Sequence, residues 1–173
     1  MGERTQYQKP ALGEAEVLEI CIDRDASIFP TWLPKGPAQF GAAAHGTLSA
    51  NEARTSGIYH VPLTLIRLWG RHPDGSTERL RLQNYLHLVE ATDLATRHST
   101  FAERWGAVGH HAAAYLRLMN DLFPSINGIP NEHLMLHQPR LLSYFGPARG
   151  YWSFVPERYN ATIQQTPSNN IIG

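Results

Sequence analysis

Glu157 and Arg158, coming directly after the aromatic residues Tyr151, Trp152 and Phe154, form the first pair in this sequence whose types could do chemistry. A carboxylate held in a dry aromatic wall beside a fixed cation can ligate Mg²⁺ and set the ion against a phosphate. The same residues have a plainer reading. Pro156 fits the first turn of a helix, where Glu157 would complement the positive end of the helix dipole and pair with Arg158 in solvent. Spacing alone does not make the glutamate catalytic.

His133 and His137 stand four residues apart, which on a helix places both imidazoles on one face, within reach of one metal ion. No glutamate follows His133 in the zincin order and no third ligand is evident, so ring nitrogens bonded to backbone or water are the structural alternative. Asp23 and Asp25 form a D-x-D after an apolar run. A strand can deliver a catalytic aspartate in that way, and a surface loop with two carboxylates is the commoner source of the same pattern. A small metal-dependent hydrolase would draw on His133, His137 and one of these aspartates. Other chemistries lack their residues. There is no Walker A sequence, no dinucleotide glycine fingerprint and no G-x-S-x-G elbow, and Cys21 has no paired-histidine context.

The elements that must position these groups read as helices joined at prolines. Residues 1–13 are polar and without periodicity, a loose terminus. Ordered structure begins near Glu14 with AEVLEICIDRD, which fits either a short amphipathic helix or a strand ending at the two aspartates. Residues 29–47 are rich in Pro and Gly and extended, draping Trp32, Leu33 and Phe40 over a core. Ser49 and Glu52 form an S-x-x-E capping box that opens a helix to about His60, which Pro62 kinks or splits before the apolar run from Leu63 to Trp69. A second helix starts near Ser76 and carries Leu82, Leu86 and Val89 inward, with Arg79, Gln83 and Glu90 in solvent. Thr100 and Glu103 suggest another box, opening a third helix with an inward stripe of Phe101, Trp105, Val108, Ala112, Tyr115, Met119 and Leu122. His110 and His111 fall off that stripe and read as solvated. Pro124 ends the helix, and a fourth spans about 131–144, interrupted at Pro139 and stopped by Gly146 and Pro147.

Composition bounds the function classes. A chain of 173 residues with 42% hydrophobic content can bury one sizeable core, so residues 14–173 are expected to form a single helical domain or a large piece of one. Fifteen basic and fifteen acidic residues cancel, which speaks against an autonomous, tight nucleic-acid clamp. The single cysteine excludes an internal disulfide framework and a multi-cysteine zinc site, and fits a reducing, intracellular compartment. No apolar run approaches the roughly 18 to 20 residues of a membrane span, and no signal peptide opens the chain.

Taken in order, several segments resemble the C-terminal part of CACTA-type DDE transposases and transposase-derived proteins, especially those abundant in fungi. The resemblance runs from Phe29-Pro30-Thr31-Trp32-Leu33 with Pro37 and Phe40-Gly41, through His45-Gly46, Leu48-Ser49-Ala50, Val61 to Ile66 and Leu68-Trp69-Gly70. It is densest at Asn131, His133-Leu134, Leu136-His137, Phe145-Gly146-Pro147, Gly150, Trp152, Phe154, Glu157-Arg158 and Asn160. The family typically reads Phe-Pro-Phe-Glu-Arg where this chain has Phe154-Val155-Pro156-Glu157-Arg158, and it usually places a tryptophan where this chain has Ala53.

The resemblance implies a ribonuclease-H-like core whose two aspartates and one late glutamate hold two Mg²⁺ ions for phosphodiester cleavage and strand transfer. Glu157 would occupy the place of that third carboxylate and its Mg²⁺ ligand, near Arg158 and His137. Residues 49–123 would be the helical insertion and residues 131–165 the glutamate-bearing edge of the core. The expected fold is therefore mainly α, with the core sheet largely missing. The family continues past the position of Gly173 into an acidic helix, so the chain is expected to be truncated at both ends. One glutamate cannot run two-metal chemistry, so the expectation is a fragment without strand-transfer activity or cofactor of its own. Its implied partners are the missing transposase core or another transposase chain, with DNA as substrate of the intact family, no membrane, and the nucleus as location. A helical module retained to bind protein or DNA is the alternative.

Overall fold

Ser49 and Glu52 close the capping box that opens the central helical run. The Glu52 N–H donates to Ser49 Oγ at 3.3 Å, and the Ser49 N–H donates to Glu52 Oε2 at 3.0 Å. The computed structural model describes residues 12–31, 33, 35–37, 40, 48–125 and 130–150. Among these the architecture is mainly α and contains no strand.

The ambiguous AEVLEICIDRD resolves as helix α1, Glu14–Ala26. The Gly13 N–H donates to Glu16 Oε2 at 2.8 Å to start it, and the Ser27 hydroxyl donates to the Asp23 carbonyl at 2.6 Å to finish it. Asp23 and Asp25 thus sit in the last turn of a helix rather than at a strand end. The described part of 29–47 is not helical, and Phe40 packs against the core as expected; Trp32 lies outside the described residues.

After the cap come α2, Ala50–Thr55, a π-helical turn, Ser56–His60, and α3, Val61–Trp69. Pro62 does not break this run. It has no N–H to give to the carbonyl four residues back, and its ring would crowd that carbonyl. The wider π turn resolves both problems: the Val61 N–H reaches back five residues to the Ser56 carbonyl. Gly75, at φ +83°, turns the link to α4, Thr77–Ala95, which Ser76 caps through the Arg79 N–H at 3.3 Å. Arg79 is not solvated as expected, since Nη1 donates to the Gly70 carbonyl at 2.9 Å.

Helix α5, Ala102–Leu122, begins without the expected capping box. Phe101 is its N-cap, and the Thr100 hydroxyl instead accepts the Trp105 indole N–H at 2.8 Å. Val108 and Ala112 are buried as the stripe requires, whereas Phe101 is exposed with the Arg104 guanidinium 4.4 Å from its ring centroid. The fourth helix is interrupted, as expected, but just before Pro139: α6, Pro130–Met135, gives way to α7, Gln138–Phe145, with Pro139 in the first turn of α7. Gly146, at φ +78°, ends α7 before a 3₁₀ turn, Ala148–Gly150.

Two apolar clusters hold the helices together. The first joins Ile20, Val61, Leu65, Trp69 and Leu82, with Tyr85 and Leu86 beside them. The second joins Ala95, Val108 and Leu142, with Leu94 and Trp105 beside them. Helix α4 contributes to both, and its buried Asn84 ties it to α5 by donating to the Tyr115 carbonyl at 2.7 Å.

Candidate functional site

Glu157 and Arg158 lie outside the described residues, as does the rest of the aromatic segment from Tyr151. His137 is described, at the N-cap of α7. Its Nε2 stands 3.1 Å from Nε2 of His133, with the rings edge to face at 4.9 Å and both side chains exposed. The pair expected from spacing does come together, although α6 ends between the two residues. One ring donates its Nε2–H and the other accepts.

The aspartates serve other partners. Asp23 accepts from Arg67 Nε at 2.9 Å, and the Arg67 guanidinium also binds Glu19, so these contacts link α1 to α3. Its hydrogen bonds to the Glu19 and Asp23 carboxylates raise the Arg67 pKa above its ordinary value. Asp25 accepts from the buried Arg24 at 2.8 Å, while Arg24 Nη1 donates to the Pro37 carbonyl. Among the described residues, no group of three or more His, Cys, Asp or Glu stands within range of one ion.

A mostly apolar cleft of about 500 Å³ opens where α4, α5, α6 and α7 meet, walled by Ala91, Ala95, Val108, Leu134 and Met135. Thr96 closes one side with its polar atoms already engaged. Its Oγ1 accepts from Arg54 Nη2 at 3.1 Å and its carbonyl accepts from Arg149 Nε at 2.9 Å.

Sequence reasoning misses His60 and His87 and misreads His111. His60 is buried against the edge of Phe29 at 4.6 Å, and the Gly36 N–H donates to its Nε2 at 3.2 Å. Burial first, then the charges of Arg24 and Lys35, lower its pKa. His87 and His111 face each other between α4 and α5, with Nδ1 atoms 2.9 Å apart. Burial, followed by His111 and His110, lowers the His87 pKa against a weaker upward pull from Glu90. His111 is therefore half-buried and partnered, not solvated as its spacing suggested. A usable signal was present: His87 lies on the helical row of the buried Asn84 and Ala91, and His111 lies one turn on from the buried Val108.

The remaining feature is apolar and outward. Leu18 and Ile22 lie one turn apart on α1, and Leu63 and Ile66 one turn apart on α3, all four exposed on two helices that pack together. Among the described residues, no helix is long and apolar enough to cross a membrane. No protein-family model, curated protein or solved structure matches the chain.

Proposed function

We propose that this chain is a transposase-derived helical unit that acts by binding a transposase catalytic core, or another transposase chain, and has no strand-transfer activity by itself. The observation that carries this reading is the set of outward apolar side chains on the packed pair α1 and α3, with Leu18, Ile22, Leu63 and Ile66 all exposed. Insertion helices of the resembled class pack on a ribonuclease-H-like core, and outward apolar side chains are what a helix keeps when its packing partner is another body. Arg67, bound to Glu19 and Asp23, holds the two helices in register. Magnesium, DNA and a nuclear location belong to this reading through the intact family. Glu157 could supply one oxygen ligand, but two-metal chemistry needs further carboxylates, and Asp23 and Asp25 are engaged with arginines.

Two measurements test it. Incubated with supercoiled plasmid and Mg²⁺, the purified chain should leave the DNA intact, and nicking that Glu157→Gln abolishes would overturn the reading. Mixed with a CACTA-type transposase, the chain should co-migrate in gel filtration, and the paired change Leu63→Glu with Ile66→Glu should abolish co-migration. A wild-type chain that fails to bind, or a variant that binds as well, removes the docking claim.

A further inference from the structure

His87 and His111 come from different helices and meet at the most extensive helix pairing among the described residues, α4 against α5. Their ring centroids are 5.2 Å apart with planes tilted by 46°, and the His110 ring lies edge-on 5.2 Å from His111. With Nδ1 to Nδ1 at 2.9 Å, one Nδ1–H donates and the other Nδ1 keeps its lone pair to accept.

Two facing imidazole nitrogens are also two metal ligands. Bonds of about 2.0 to 2.1 Å to one ion place adjacent ligand nitrogens about 2.9 Å apart in a square arrangement and about 3.3 Å apart in a tetrahedral one. The observed separation lies within a few tenths of an ångström of that range. We propose that His87 and His111 form a binding site for a divalent transition-metal ion of the Zn²⁺ or Cu²⁺ type, which clamps α4 to α5. The ion would accept one lone pair from each Nδ1, and water would complete its shell. The shared Nδ1 proton moves to Nε2 of its own ring, so two neutral imidazoles bind with no net proton release. In acid the ion must displace protons, and binding weakens. Glu90 is the acidic residue whose field reaches His87.

The exposed His133–His137 pair would take up the same ions, so the test starts from His133→Gln with His137→Gln. Stripped with chelator and titrated with ZnCl₂ at pH 7.5, that variant should bind one equivalent, and adding His111→Gln should abolish binding. Metal at a hundred times its Kd should raise Tm by roughly 5 to 10 °C. Ring ¹⁵N spectra of the wild-type chain give a second readout, since Zn²⁺ should shift Nδ1 of both His87 and His111. The assignment is overturned if neither Zn²⁺ nor Cu²⁺ binds at millimolar concentration, if His111→Gln leaves binding intact, or if only the His133 and His137 rings respond. Should His111→Gln fail to fold without metal, the ring spectra decide the matter alone.

Discussion

Burial pushes the Tyr85 phenol up to about 12, and its hydroxyl donates to the Gly57 carbonyl at 2.9 Å, inside the π turn. Tyr85→Phe keeps the ring and removes that one bond. The cost should be about 1 kcal/mol, read from the urea midpoint at unchanged m. The histidines set the pH response. His60 and His87 both hold a proton less tightly in the folded chain than at the ordinary value of 6.5. The unfolded chain therefore takes up more protons as the pH falls through that value. Their contribution to stability is complete above about pH 6.5 and is lost below it. Tm should be flat from pH 8 to 7 and fall towards pH 5, with a shallower fall in His87→Gln; a flat profile in the wild-type chain would contradict this. Spacing is silent on His60 and His87 and reads His111 as solvated, because their partners, Gly36, Phe29 and one another, come from distant parts of the chain.

Two S/T-x-x-E patterns have different fates at the level of the helix. At Ser49 the hydroxyl and the Glu52 carboxylate find each other's backbone, so Ser49→Ala should cost about 1 kcal/mol and fray α2. At Thr100 the hydroxyl is taken by the Trp105 indole, whose N–H needs an acceptor as the ring packs on the second cluster. The tetrapeptide pattern was legible in both places, but the competing claim of Trp105, five residues on from Thr100, was not. Pro62 makes the same point. Its helix-breaking tendency was plain in the sequence, but the π turn that absorbs it depends on Tyr85 and the buried face around His60. The α1 segment was readable as apolar and short. Its helical period won over the strand reading because Ile20 and Arg24, one turn apart, are the positions that become buried.

Across the whole molecule, the mainly α class and the inward stripe of α5 were readable from apolar spacing, whereas the division of the core was not. The first cluster rests on large side chains, Leu65 and Trp69 among them, while the second leans on Ala95 and Val108. Leu65→Ala should therefore cost about 2 to 5 kcal/mol. Amide hydrogen exchange should show slower opening for α3 than for α7, and equal protection would argue against unequal clusters. Of the candidate site, Glu157 and Arg158 were read from residue type and resemblance and lie outside the described residues, while the four-residue spacing of His133 and His137 does bring their rings together. The largest helix pairings among the described residues join elements close along the chain: α4 with α5, α5 with α7, and α3 with α4. Contacts of short sequence separation need little loop closure before they form. Pairings of this kind favour fast folding, and the buried residues of the first cluster all lie in α1, α3 and α4, so it is able to assemble as soon as α4 leaves the ribosome.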